Sequence, residues 1–124
     1  MSHRVFFRHL RNHASEYVSP PSYDIVAAYV AGYDKGTGGT ALAGFYEWLA
    51  VRFSREATSW QHLIPELAFG GLQPPRPFSP EEDERALGAL FDWLDEFLHE
   101  TGEPGRRDVF RRFETWEGER RSRG

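Results

Sequence analysis

Hydrophobic residues recur at helical spacing along most of the chain. Between residues 42 and 53 they fall on one helical face, at Leu42, Phe45, Tyr46, Leu49 and Phe53. Between residues 22 and 33 the same spacing occurs at Val26, Tyr29, Val30 and Tyr33. Because positions three and four apart share one face of an α-helix, both segments are predicted to be amphipathic helices. Ser22 follows two prolines and is predicted to cap the helix that contains Val26 and Tyr29.

The clearest helix signal lies between residues 79 and 102. Ser79, Pro80 and Glu82 have the order of a capping box, with proline in the first turn. The apolar residues that follow form a single stripe: Leu87, Leu90, Phe91, Leu94, Phe97 and Leu98. Gly102 is predicted to end this helix, and residues 103–105 are predicted to form a turn.

The remaining segments carry weaker patterns. Apolar positions in residues 4–17 favour a helix, although residues 5–7 also fit a short strand. Residues 60–67 again have helical spacing, but Pro65 inside them predicts a kink or two short pieces. Asp108 is predicted to cap a short last helix, and residues 117–124 to be frayed.

Glycine and proline divide the chain between these helices. Gly32 and Gly36 are stop signals for the helix that begins near Ser22, and Thr40 is predicted to cap the next one. Residues 70–80 hold four prolines and predict a stiff crossover outside the bundle. The fold class expected is all-α. Residues 1–124 would form one irregular bundle of about four main helices, with short helices at the ends.

Composition narrows the class of protein. The 124 residues are 40% hydrophobic and 15% aromatic, which is too rich in aromatic residues for a disordered chain. The absence of cysteine excludes disulfides, thiolate metal sites and a cysteine nucleophile. No apolar stretch approaches membrane-spanning length, and residues 1–11 do not resemble a signal peptide, so a cytoplasmic location is expected.

Charge is unevenly distributed and points to one helix. The formal net charge is −4, yet residues 78–103 hold nine acidic side chains and one basic side chain. Five residues of this helix lie outside or at the edge of its apolar stripe: Asp92, Trp93, Asp95, Glu96 and Glu100. An acidic face with an aromatic at its edge suits a basic partner protein, because charge steers association and the aromatic anchors it. The alternative is a solubilising surface.

Arginines at the two ends of the chain suggest a second hypothesis, a small regulator that associates with nucleic acid. They are Arg4, Arg8, Arg11, Arg106, Arg107, Arg111 and Arg112. The negative net charge counts against this hypothesis, because a nucleic-acid binder usually carries the opposite balance.

Residues 32–40 form a glycine-rich segment before a predicted helix. Gly38, Gly39 and Thr40 could offer N–H groups to an anion at a helix N-terminus. The P-loop, however, needs a preceding strand and a Gly-Lys-Ser/Thr sequence, and neither occurs here. A helix end followed by a flexible turn is the favoured interpretation.

A third hypothesis is a helical metal carrier or enzyme built on spaced histidines and glutamates. The candidate pairs are His62 with Glu66, Glu96 with His99, and His9 with His13. A di-metal bundle site needs two Glu-x-x-His motifs and two more glutamates, and zinc needs three or four ligands. No metal, cofactor or catalytic residue is therefore predicted. The Pro-x-x-Pro spacing of residues 74–77 is explained by the crossover.

One region resembles a known class of protein. It is carried by Ala31-Gly32-Tyr33-Asp34, Thr37-Gly38-Gly39, Leu42, Gly44-Phe45, Trp48-Leu49, Trp60 and Ile64. Over residues 25–67 this pattern resembles small bacterial proteins of the immunity type, the cytoplasmic partners that neutralise polymorphic toxins. The resemblance implies a non-enzymatic binding role and includes no catalytic residue.

Overall fold

The computed structural model describes residues 2–101 and 106–123, and within them every regular element is an α-helix. The helices are α1 (His3–Asn12), α2 (Ala14–Tyr17), α3 (Tyr23–Gly36), α4 (Phe45–Phe53), α5 (Trp60–Ala68), α6 (Pro80–Glu100) and α7 (Arg106–Arg123). The predicted all-α class is confirmed. Helix α6 packs against α1, α3, α4 and α5, and α7 packs against α4.

The N-terminal segment is helical, so the short strand considered for residues 5–7 does not form. The Ser2 hydroxyl accepts a hydrogen bond from the Val5 N–H and caps α1. The chain bends at His13, which separates α1 from α2. Phe7 and Leu10 are buried, and they anchor α1 on the core.

Helix α3 begins where predicted and ends later than its first glycine. The Ser22 hydroxyl accepts from the Ile25 N–H, which confirms the predicted cap. The helix passes through Gly32 and ends at Gly36, so the stop signal at Gly32 was wrong. Helix propensity at one residue is outweighed when the rest of the helix packs against the core.

The start of α4 differs from the prediction. The N-cap is Gly44, with a φ of 90°, and the predicted cap at Thr40 is wrong. Leu42 therefore lies in the preceding turn, although it is buried. The positive φ at position 44 favours glycine, and an added Cβ would lie at ordinary contact distance, 3.4 Å, from the Val109 side chain.

Pro65 lies inside α5, which is one helix rather than two short pieces. A proline at this position cannot donate to the carbonyl of Gln61, four residues earlier. The hydroxyl of Tyr23 donates to that carbonyl at 2.8 Å and replaces the missing bond. Tyr23 is almost completely buried, and burial raises the pKa of its hydroxyl.

Helix α6 confirms the predicted capping box. The Ser79 hydroxyl accepts from the Glu82 N–H, and the Glu82 carboxylate accepts from the Ser79 N–H. The fully buried positions of this helix are Ala86, Leu90, Phe91, Leu94 and Phe97. Leu87 and Leu98, at the two ends of the predicted stripe, are only half-buried.

In the crossover predicted for residues 70–80, residues 70–79 have no regular structure and Pro80 begins α6. Phe78 is buried, and the Arg76 guanidinium lies 4.2 Å from the centre of its ring. Arg76 also forms an ion pair with Asp24 of α3. These contacts hold the proline-rich segment against the start of α3.

The C-terminal helix is longer than predicted. Gly102 and the turn at 103–105 lie outside the described residues, and Asp108 lies in the first turn of α7 rather than at its cap. Residues 117–123, predicted to be frayed, are helical. Val109 is buried against α4, and the ring of Phe113 contacts that of Tyr46. The sequence predicted only the first part of this helix because no apolar residue follows Trp116.

Candidate functional site

The candidate site is the outer face of α6, which carries the residues predicted to bind a partner. We call Asp92, Trp93, Asp95, Glu96 and Glu100 the acidic strip. The strip projects from α6 because Leu90, Phe91, Leu94 and Phe97 point into the core. The capping box fixes where the helix begins, and this sets the face on which each carboxylate lies.

Arginines of α1 lie along the strip. The Arg4 guanidinium donates to both oxygens of Asp95, at 2.8 and 3.1 Å. Arg8 donates to Asp95 at 3.3 Å, and Arg11 donates to Asp92 at 2.7 Å. The contacts move toward the start of α6 as α1 proceeds, so the two helices are antiparallel. We call Arg4, Arg8 and Arg11 the arginine ladder.

The ladder changes the acid–base properties of the strip. Hydrogen bonds from Arg4, and then from Arg8, hold the pKa of Asp95 below its ordinary value. The hydrogen bond to Asp95 raises the pKa of Arg4. Both effects stabilise the charged forms, since each ion favours the ionised state of its neighbour.

The other end of the strip contacts α4. Arg52 donates to Glu96 at 3.2 Å and approaches Glu100 at 3.9 Å. The indole N–H of Trp48 donates to Glu100 at 3.0 Å. The Arg52 guanidinium also lies 5.0 Å from the Trp48 ring centre, a cation–π distance.

Trp93 is half-buried, and its ring centre lies 5.0 Å from that of Phe53. Part of its surface is therefore already packed against α4. A groove of about 570 Å³ runs beside it, lined by the arginine ladder, by Arg52, and by the strip carboxylates Asp92, Asp95 and Glu96. The strip is thus not a free acidic surface: each carboxylate has an arginine partner.

The glycine-rich segment already uses its donors within the chain. The Gly39 N–H donates to the Asp34 carbonyl at 2.8 Å, and the Gly38 N–H donates to the Lys35 carbonyl at 3.1 Å. The Asp34 carboxylate accepts from the N–H groups of Ala41 and Leu42. The Thr40 hydroxyl donates to the Thr37 carbonyl. An external anion at these N–H groups would have to displace the Asp34 carboxylate.

The predicted histidine–glutamate pairs are held apart by other partners. His62 lies 2.9 Å from the Ser59 hydroxyl, while Glu66 faces Arg55. His99 lies 3.1 Å from Arg4, while Glu96 pairs with Arg52 on the neighbouring helix.

His9 of α1 and His13, which follows this helix, lie side by side. Their ring centres are 4.5 Å apart and their planes are tilted by 31°. Among residues 2–101 and 106–123, no three His, Asp or Glu side chains cluster as ligands for a metal ion.

One carboxyl group that sequence reasoning did not single out is Glu47. It is half-buried on α4, and burial raises its pKa. It lines a cavity of about 190 Å³ with Trp48, Arg52 and Arg112. No sequence pattern distinguishes it from the other acidic residues, because its burial comes from the docking of α7.

Comparisons with known proteins add no relative: no family model, curated protein or solved structure matches this chain. None of the described helices combines the length and apolar character needed to cross a bilayer. The function of the α6 surface is therefore inferred from the charges and contacts of its residues.

Proposed function

We propose that this protein is a non-enzymatic interaction module that recognises a basic protein surface through the acidic strip. The observation that carries this proposal is the exposure of the strip's ion pairs. The side chains of Asp92, Glu96 and Glu100 are 65%, 47% and 54% exposed. Exposed pairs of this kind are worth only about 0–1 kcal/mol each.

Weak internal pairs can be exchanged for external ones. An Arg or Lys of a partner can replace Arg11 at Asp92, or Arg52 at Glu96, at little cost. The released arginine stays solvated and keeps its charge. The partner also meets Trp93 at the rim of the groove, where an aromatic side chain anchors contacts more strongly than charge does.

The resemblance of residues 25–67 to immunity proteins supports a toxin as the partner. An immunity-like inhibitor would cover the active site of a toxin. The active site of a nuclease is basic, because it binds phosphates. The strip lies outside residues 25–67, so charge and resemblance support the proposal independently.

The nucleic-acid alternative fits less well. Arg4, Arg8 and Arg11 all lie against carboxylates of α6, and a phosphate would have to compete with those carboxylates. Arg111 and Arg112 are exposed on α7. The net charge of −4, however, disfavours the binding of a nucleic acid.

The test uses three baits in a pull-down from the native host. They are the wild type, a strip reversal (Asp92→Lys with Glu96→Lys), and a control reversal (Glu114→Lys with Glu119→Lys) that makes the same change in charge on α7. Glu114 and Glu119 are exposed and form no ion pair within the described residues. Asp95 is left intact because it holds two arginines of α1.

Association of each captured protein is then measured by surface plasmon resonance at two salt concentrations. A protein with a basic surface should bind the wild type and the control. The strip reversal should bind it more slowly and with less dependence on salt. Trp93→Ala should raise the dissociation rate by about tenfold or more.

Asp92→Asn with Glu96→Gln, which leaves no new charge near the arginines, repeats the test if the reversal unfolds. Equal kinetics for strip and control variants would refute the proposal.

A further inference from the structure

The arginine ladder stops before the acidic face of α6 does. Glu84 continues the face of Asp92 toward the start of α6, two helical turns away. Helix α1 ends at Asn12, and its last arginine, Arg11, pairs with Asp92. Within the described part of the chain, no cation lies within ion-pair distance of Glu84.

A second groove opens at this end of α6. Its volume is about 890 Å³, the largest of the described cavities. Four prolines line it: Pro20, Pro21, Pro77 and Pro80. Proline rings have no N–H to satisfy and offer a rigid apolar surface. We call this cavity the proline groove.

Gly88 leaves the surface of α6 open where the helix borders the proline groove. It lies inside a helix of 21 residues, where glycine is less favourable than alanine by about 1 kcal/mol. A Cβ added to Gly88 would meet nothing within 4 Å, so internal packing does not require glycine. Gly88 lines the proline groove, and the missing side chain leaves the helix backbone open to a ligand.

The charged residues around the groove indicate the sign of the charge that a ligand should carry. Asp24 pairs with Arg76, and Asp83 accepts the Tyr23 N–H. Among the described residues that line the groove, the cation is Arg11, and it pairs with Asp92. Asp83 and Glu84 therefore have no cationic partner within the described residues, and Glu84 is the more exposed of the two.

We propose that the proline groove docks an extended segment of the partner protein in which an Arg or Lys stands next to apolar residues. The partner's cation pairs with Glu84 and continues the arginine ladder by one step. The neighbouring apolar side chains lie over Gly88 and against Phe78, Leu87 and the prolines. This inference rests on the proposed function and names where the basic partner inserts.

The test fills the groove without disturbing the fold. Gly88→Leu places a side chain in the groove, and Gly118→Leu makes the same change in α7, where an added Cβ also meets nothing within 4 Å. Neither variant should have a lower melting temperature than the wild type. A phage-displayed library of short random peptides is selected on the wild type, and the affinities of the selected peptides are measured by fluorescence polarisation.

Peptides that carry Arg or Lys beside Leu, Phe or Pro should be enriched. Their affinity should fall about tenfold or more in Gly88→Leu and remain unchanged in Gly118→Leu. Glu84→Lys should weaken the same peptides, whereas Glu114→Lys should not. Equal affinity for wild type and Gly88→Leu, or a preference for acidic peptides, would overturn the inference. Sedimentation that shows a wild-type dimer and a Gly88→Leu monomer would assign the groove to a second copy and would overturn it too.

The same variants separate this inference from the proposed function when they are tested on the captured partner. Loss of binding in the strip reversal alone supports the function and refutes the groove. Loss in Gly88→Leu alone supports the groove and refutes the strip. Unchanged binding in both refutes both proposals.

Discussion

At the scale of single residues, the clearest dependence is that of Pro65 on Tyr23. The proline leaves the Gln61 carbonyl without its helical donor, and the Tyr23 hydroxyl of α3 supplies one. The hydrogen bond is part-buried, and leaving a buried polar group without its partner costs about 1–3 kcal/mol. Tyr23 therefore has two roles: its ring packs in the core, and its hydroxyl supplies a hydrogen bond to α5.

Tyr23→Phe should lower the free energy of unfolding by about 1–3 kcal/mol, measured by chemical denaturation. Tyr29→Phe is the control, because the hydroxyl of that half-buried tyrosine forms no hydrogen bond with described residues. In a Pro65→Ala background the new N–H can donate to Gln61, so Tyr23→Phe should cost less there. An equal loss in both backgrounds would contradict this account.

Leu94 lies at the centre of the α6 stripe and is completely buried. Leu94→Ala should lower the free energy of unfolding by about 2–5 kcal/mol, because it removes core contacts and leaves a cavity. Leu72 is 87% exposed, so Leu72→Ala should change stability little. An unchanged denaturation midpoint for Leu94→Ala would show that this stripe does not form the core.

At the scale of elements, ion pairs and buried side chains together join α1 to α6. Phe7 and Leu10 pack α1 on the core, while the arginine ladder fixes its direction along α6. Asp95 is the centre of this contact, since two arginines donate to it. Because the strip carboxylates pair with α1 and α4, reversing their charge is predicted to cost some stability.

Asp95→Asn should destabilise the protein in a pH-dependent way. The folded state lowers the pKa of Asp95, so its contribution is complete above the unfolded value of about 3.9. The contribution is lost as the pH falls through the lower folded value. The wild type should exceed Asp95→Asn by up to about 1 kcal/mol near pH 7, and the difference should shrink below about pH 4 and in high salt.

Denaturation curves at several pH values measure this difference. Glu114→Gln, at an exposed position on α7, serves as the control and should follow the wild type throughout. A difference between wild type and Asp95→Asn that stays constant from neutral to acid pH would show that the charge of Asp95 does not join the helices.

At the scale of the whole molecule, the negative charge of α6 is distributed unevenly. The C-terminal half of the helix is paired with arginines of α1 and α4, and Glu84 in its first turns is not. The histidines and glutamates that suggested a metal centre are dispersed among these pairs and the surface.

Protein purified without a histidine tag should therefore contain well under one transition metal per chain, as measured by elemental analysis. The physical reason is that two isolated ligands do not hold zinc or iron against water. A full equivalent of iron, manganese or zinc would revive the metal-carrier hypothesis and would direct attention to His99 and Glu96.

The sequence by itself determined the main helices and the starts of α3 and α6. Ser22 and Ser79 cap as predicted because capping depends on the few residues that follow in the chain. The stripe of α6 is also local, since helical periodicity alone sets which residues share a face. The C-terminal helix was predicted too short because no apolar residue follows Trp116, and its packing on α4 is visible only in three dimensions.

The tertiary structure decided the partners of the charged and polar groups. Arg4 and Asp95 are 91 positions apart, and Tyr23 and Gln61 are 38 apart, so no local pattern predicts either contact. The acidic strip was found from sequence, but its neutralisation by arginine was not. Side-chain chemistry can be read locally, whereas the electrostatic environment of a side chain depends on which helices pack together.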